Sequence, residues 1–252
     1  MTREQLLLDR LLADTHALFG DDLVGLYVHG SLAFGCFRWE TSDLDVLVVT
    51  RSAPSPAQKE SFLSLLLDHD RQGPGKGLEL SLVLEKDCRF FRHPCPYYFH
   101  FSRGHLAAAQ ADPVGFIRRM AGVDHDLAAH FTVTRAVGIS LYGPPPAQLF
   151  APVPRADYLD SILRDVEDAR EGLVRDPVYF LLNLCRVLAA CREGAVLSKE
   201  QGGQWALPYL PDSLRPAVEE ALVCYRTGRP FSLPLQEDTA RTFLDLIKKS
   251  TP

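Results

Sequence analysis

Apolar and polar positions along this chain follow two different periods, and the places where one gives way to the other mark its elements. Across Arg3–Phe19 leucines recur three and four residues apart behind Thr2 and Gln5, a capping-box pair, which predicts an opening helix. Two short apolar runs, 23–29 and 44–49, then predict strands. A third strand is predicted at Leu78–Leu84, where Leu78, Leu80, Leu82 and Leu84 alternate with Glu79, Ser81 and Val83. Between the second and third strands, 55–68 predicts a helix with Pro56 in its first turn. Residues 88–98, dense in Pro, Arg and aromatics, carry no readable period. After them Asp112-Pro113 and Asp124 supply helix starts, Gly122 and Gly138 supply stops, and Ile139–Tyr142 predicts a last strand.

The texture changes at Gly143-Pro144-Pro145-Pro146, followed by Pro152 and Pro154, which places a domain boundary there and divides the chain into 1–150 and 151–252. Beyond it every period is helical. Helices are predicted over 155–174 and over Pro177–Glu193, the latter with Asp176 as N-cap, Pro177 in the first turn and Gly194 as the stop. Ser198 with Gln201 opens another by a capping box, Asp212 or Ser213 opens the next, which Gly228 ends, and 237–249 closes the chain with Lys248 and Lys249 at the negative end of the helix dipole. The expected fold is α+β: a mixed sheet flanked by helices, then a C-terminal helical bundle.

Composition changes this picture little. With 252 residues, 46% hydrophobic and 23% charged, the chain is long enough and apolar enough for a real core. A net charge of −5 weighs against a broad nucleic-acid footprint and favours neutral or cationic small molecules. The N-terminal stretch carries acidic residues in place of a basic n-region, and no run reaches membrane-spanning length, so a cytoplasmic, membrane-free protein is expected. The six cysteines form no C-x-x-C pair and read as reduced thiols. Cys88, His93 and Cys95 are spaced like half of a metal cluster, but without a second pair they read as structural.

The unusual chemistry sits where a polar turn meets the second strand, in S-D-L-D-V-L-V-V. Asp43 and Asp45 open an apolar run, and burying ionised carboxylates is costly unless a cation compensates. Residues i and i+2 of a strand share a face about 6 to 7 Å apart, so the two carboxylates can converge on one or two metal ions, and oxygen ligands are what Mg²⁺ prefers. Upstream, Gly30-Ser31 follows the first strand and offers a close approach, backbone N–H groups and a hydroxyl to phosphate oxygens. Glu79 points away from the leucine face of its strand, towards the side where the aspartates lie if the strands share a sheet, and reads either as a general base or as a further metal ligand.

A strand, G-S, and D-L-D on a second strand resemble the nucleotidyltransferase superfamily that includes DNA polymerase β. Leu78 to Val83, the stretch FTVTRAVGISLYGPP, and the C-terminal NLCRVL, LSKEQGGQWAL and ALVCYRTG are similar to the bacterial aminoglycoside adenylyltransferases, and this resemblance covers nearly the whole chain. It implies transfer of AMP from ATP to a hydroxyl of an aminoglycoside-like, hydroxylated and cationic acceptor, with release of pyrophosphate, in a cleft between two domains of a monomer. By the same resemblance Asp43 and Asp45 hold Mg²⁺, Ser31 and Ser42 touch the phosphates beside Gly30, and Glu79 is the base. Arg186 and Lys199 bind the triphosphate, Tyr225 completes the nucleotide site, and Asp176 contacts the drug.

Each C-terminal residue also has a plainer reading: Arg186 as a snorkelling side chain on an apolar helix, Lys199 as a surface lysine, Asp176 as an N-cap and Tyr225 as core packing. The acids Asp160, Asp165, Glu167, Asp168 and Glu171, interleaved with Arg164 and Arg170, read as a solvated face. Family members that modify streptomycin carry a tryptophan after the base strand and a second acid four residues before the position of Asp176. Here those places read Phe101-Ser102-Arg103-Gly104-His105 and Gly172, which argues against streptomycin and leaves spectinomycin or another hydroxylated acceptor. The same chemistry on a protein hydroxyl, or a nucleotide-binding module that has lost the reaction, stand as alternatives.

Overall fold

The computed structural model describes residues 1–251. The chain divides into two compact units, Met1–Val153 and Pro154–Pro252. In the first, α1 (Arg3–Phe19) begins at the Thr2–Gln5 capping box and leads to β1 (Leu23–Val28), a four-residue helix α2 (Gly30–Ala33), β2 (Leu44–Thr50) and α3 (Pro56–Arg71). The last of these has its own capping box, Ser55 with Gln58, and runs three residues beyond the sequence expectation. Next come β3 (Leu78–Leu84), α4 (Glu85–Arg89), β4 (Cys95–Tyr97), β5 (Phe99–Phe101), α5 (Leu106–Ala111), α6 (Pro113–Arg119), β6 (Gly122–Asp124), α7 (Leu127–Val137), β7 (Ile139–Tyr142) and α8 (Pro146–Leu149).

The main sheet has the order β5-β3-β2-β1-β7. Only β2 and β3 run parallel; the other neighbours are antiparallel, so the sheet is mixed. Side-chain alternation gives it two different faces. Leu26, Val28, Leu44, Val46, Val48, Leu80 and Leu82 point into a core shared with Leu11 of α1 and Phe62 and Leu66 of α3. On the other face Tyr27, Leu47, Val49 and Val83 pack with Leu127 and Phe131 of α7 and Leu149 and Phe150. The second core also takes Cys88 and Cys95, where burial pushes both thiols up, Cys95 to about 12.

Two expectations shift. Gly122 and Asp124 lie in β6, which pairs with β4, and the helix begins beyond them with Asp126 as its N-cap. The Asp124 carboxylate accepts from Asp126 N at 2.9 Å, an Asx turn one step ahead of the helix that competes for the role of start signal.

The second unit is helical: α9 (Arg155–Arg164), α10 (Ala169–Arg175), α11 (Pro177–Glu193), α12 (Lys199–Ala206), α13 (Arg215–Thr227) and α14 (Thr239–Ser250). The single helix expected over 155–174 is broken, because Val166 N and Ala169 N bond back three residues to Leu163 and Val166 and tighten the chain into turns. The helix expected from Asp212 or Ser213 begins at Arg215, whose side chain Asp212 holds. Helix α11 is buried on nearly every side, from Phe180 to Cys191, and packs against α9, α10, α12, α13 and α14, which makes it the centre of the bundle. Among the described residues no helix is long and apolar enough to cross a membrane.

Candidate active site

The parallel pairing of β2 with β3 sets Asp45 directly beside Glu79, both on the face opposite the leucines. Asp43, two residues before Asp45, completes a trio of half-buried carboxylates whose oxygens lie within 4.8 Å of one another. An all-oxygen carboxylate donor set suits a hard divalent ion such as Mg²⁺. The site turns on one glycine. Gly30 has φ +58, and a Cβ there would collide with the Asp45 carboxylate, so only glycine lets the chain leave β1 against that side chain. His29 N donates to Asp45 O at 3.0 Å and fastens the same contact.

The two serines differ. Ser42 is buried and its Oγ accepts from Arg38 N at 3.0 Å, closing the turn that carries Asp43. Ser31, in the first turn of α2, has a buried Oγ with no hydrogen-bond partner. A buried hydroxyl left unmatched costs free energy.

A layer of imidazoles continues this face. His100 of β5 lies opposite Ser81 of β3, with Oγ and Nδ1 2.9 Å apart, and burial, with His105 next, lowers its pKa to about 4. His29 is fully buried against His130, ring centroids 4.8 Å apart, and burial foremost holds it well below the usual imidazole range. These neutral rings went unread in the sequence, although F-H-F at 99–101 is an alternating triplet that sets one histidine opposite two core phenylalanines. His93 contacts His125 at 3.3 Å.

The remaining candidates belong to the second unit. Arg186 on α11 is half-buried and donates to Asn183 Oδ1 at 3.0 Å, with its stem against Gly202. Lys199, the first residue of α12, places Nζ 4.8 Å from the centre of the Tyr179 ring. Asp176 caps α11 by accepting from Tyr179 N at 3.0 Å, and Tyr225 is half-buried on α13. Gly172 is buried, and a side chain there would run into the Phe180 ring, which would have to move to admit one.

Residues 148–250 match the family model described as aminoglycoside adenylyltransferase, C-terminal domain. The spectinomycin 9-adenylyltransferase of Staphylococcus aureus is 28% identical over 201 residues, 77% of this chain and 74% of that protein. An aminoglycoside (3'') (9) adenylyltransferase of Klebsiella pneumoniae is 24% identical over 236 residues, 90% of this chain and 86% of that protein. Among solved structures, the spectinomycin adenyltransferase AAD(9) from Enterococcus faecialis, crystallised with ATP and spectinomycin, superimposes with a TM-score of 0.77 at 18% identity, covering 98% of both chains. At that identity the likeness speaks to the fold.

Proposed function

We propose that the chain is an aminoglycoside adenylyltransferase, a nucleotidyltransferase that transfers AMP from ATP to a hydroxyl of a spectinomycin-like aminocyclitol and releases pyrophosphate. The observation that carries this reading is the convergence of Asp43, Asp45 and Glu79 on one side of a parallel strand pair. In it, residues 1–150 are the nucleotidyltransferase domain and 151–252 the helical domain that supplies nucleotide and acceptor contacts.

Asp43 and Asp45 would hold Mg²⁺, which when bound would neutralise charge on the triphosphate. Gly30 and Ser31 receive phosphate oxygens at the start of α2, where the Ser31 hydroxyl gains the partner it lacks in the protein alone. Ser42 fixes the turn that carries Asp43 and lines the same phosphates. Glu79 accepts the proton of the acceptor hydroxyl as its oxygen bonds to the α-phosphorus, while the bond from that phosphorus to the pyrophosphate oxygen breaks. Arg186 and Lys199 supply positive charge to the triphosphate, with the Arg186 guanidinium oriented by Asn183. Tyr225 contacts the nucleotide and Asp176 the acceptor.

The acceptor follows from what is missing as well as what is present. The relatives of known name include spectinomycin enzymes, and by the resemblance the two places where streptomycin modifiers carry a tryptophan and a second acid read otherwise here, with Gly172 packed against the Phe180 ring. Incubation with ATP, Mg²⁺ and a panel of aminocyclitols and aminoglycosides, followed by pyrophosphate release and product mass, tests this. Spectinomycin is expected to gain one AMP and streptomycin none. No turnover with any member of the panel would overturn the acceptor class. Glu79→Gln is expected to bind Mg-ATP normally in calorimetry and to fail in transfer; loss of Mg-ATP binding would instead make Glu79 a metal ligand.

A further inference from the structure

Three carboxylates gathered within 4.8 Å repel one another, and two of them, Asp43 and Glu79, sit at the mouths of their strands where the sheet ladder is only beginning. Something must hold those mouths together. Three backbone bonds join them: Gly75 N to Trp39 O at 2.6 Å, Lys76 N to Ser42 O at 3.1 Å, and Leu44 N to Gly77 O at 2.9 Å. They tie the loop ahead of Glu79 to the turn ahead of Asp45, but in a loop of Gly73, Pro74, Gly75, Lys76 and Gly77 the Pro74 ring is the one buried side chain that helps to keep it in place.

Resting on the assignment of these carboxylates to the reaction, we propose that Asp70 and Arg103 are positioning residues of the transfer site, an ion-paired clasp that fixes Glu79 in register with Asp43 and Asp45. Asp70, at the end of α3, is only 3% exposed, and its carboxylate accepts from Leu78 N, the residue before Glu79, at 2.9 Å and from Arg103 Nε at 3.2 Å. The rest of the guanidinium is spent on the same loop: Nη1 donates to Gly75 O at 2.6 Å, and Nη2 to Pro74 O and Asp70 O, both at 3.4 Å. A planar fork with several donors can hold a carboxylate and several carbonyls at once, which a lysine ammonium cannot. Gly77 has φ +85 and any side chain on it would strike both Asp70 and Arg103, so the loop is closed tightly over the pair. The clasp thus ends on Gly75 and Leu78, the residues that carry the strand mouths, and β5 contributes through Arg103 just beyond its end.

Arg103→Gln is the primary test, with Arg103→Lys and Asp70→Asn beside it and Phe62→Leu, a core change under the opposite sheet face, as a stability control. The readouts are Mn²⁺ affinity of the nucleotide-free protein by electron paramagnetic resonance, the Mg²⁺ concentration giving half-maximal transfer, kcat and KM for the acceptor, and Tm. Arg103→Gln is expected to weaken Mn²⁺ binding and to raise the Mg²⁺ requirement by about tenfold or more, with acceptor KM nearly unchanged and Arg103→Lys intermediate. Arg103→Gln with wild-type metal affinity and metal dependence, whatever its Tm, would overturn the clasp. So would Phe62→Leu, at a matched loss of Tm, reproducing the metal defect. Because Arg103 is 40% exposed, its variants keep the question open to measurement if Asp70→Asn fails to fold. Asp45→Asn separates the two readings: if it transfers AMP at the wild-type rate, the site assignment falls; if it is inactive while Arg103→Gln behaves as wild type, the clasp alone falls.

Discussion

Leu44 and Asp45 are neighbours on β2 and meet opposite surroundings. Leu44 is 1% exposed and shares its face with Val46, Val48, Leu80 and Leu82 above two long helices, a surface apolar from end to end. Asp45 begins the other face, which passes from carboxylates through Ser81 and the His100 imidazole to Leu47, Val49 and Val83 within one strand length. One face obeys the economics of area and volume, so its residues are interchangeable in kind. The other is organised by charge and hydrogen bonding, and its apolar half serves as a rigid floor that fixes where the charged half begins. Substitutions on the two faces are therefore expected to separate activity from stability.

The largest separation belongs to Asp45→Asn. On the proposed function, transfer falls by about a thousandfold or more, since charge neutralisation at the phosphates is most of what such a site supplies. Stability is expected to change much less than transfer, because the substitution keeps the size and shape of a half-buried side chain at the end of the strand. Pyrophosphate release and a thermal melt on the same preparation decide it; a large loss of Tm would make Asp45 a structural residue. Leu80→Ala, on the other face, is expected to do the reverse and cost about 2 to 5 kcal/mol in urea unfolding while the folded fraction keeps kcat within about threefold. A kcat loss comparable with that of Asp45→Asn would mean that the two faces are not independent.

How much of this was legible in the sequence follows from the range of the interactions involved. The alternation at Leu78–Leu84 revealed the strand and the side on which Glu79 projects, and the capping boxes at Thr2 and Ser198 marked helix starts, because all of these are local. Strands β4 and β5 have three residues each, so that even the alternation of F-H-F is too brief to mark a strand by itself, and their existence depends on pairing with β6 and β3. The break after Arg164 escaped notice because Val166 and Ala169 continue helical spacing through the turns and stay buried. The carboxylate trio could be assembled on paper once two strands were assumed to be neighbours. Asp70 and Arg103, 33 residues apart, could not, and neither could the meeting of Ser81 with His100, which is fixed by the β3–β5 register.

Acid sharpens the contrast between faces by a smaller amount. His29 and His100 are held neutral in the fold, with His100 down to about 4 by burial and by His105, and His130 also facing it, while Asp124 acts in the opposite sense. In the unfolded chain both titrate near 6.5, so the unfolded state binds more protons below that pH. Their contribution is complete above about pH 6.5 and is lost as pH falls towards 4, each adding a slope of up to about 1.4 kcal/mol per pH unit. Urea unfolding between pH 7 and pH 5 is expected to show this, with a shallower slope in His100→Gln and an unchanged one in Leu80→Ala. Equal slopes in all three proteins would exclude the imidazole layer as the source.

The smallest effect comes from the residue that tests whether the charged face is built for an absent anion. Ser31 Oγ is buried without a partner, whereas Ser42 Oγ receives the Arg38 N–H, so removing the two hydroxyls should not be equivalent. Ser31→Ala deletes an unmatched polar group, and in the ligand-free protein it is expected to be neutral or stabilising by less than about 1 kcal/mol. Ser42→Ala deletes a made bond to a backbone donor and is expected to destabilise by about 1 kcal/mol. With ATP present the order should invert for binding: Ser31→Ala raises KM for ATP by about tenfold, the loss of one hydrogen bond to a charged group, with acceptor KM unchanged. If Ser31→Ala instead destabilised the free protein as much as Ser42→Ala, its hydroxyl would be part of the fold, and the phosphate role would pass to the backbone of α2 alone.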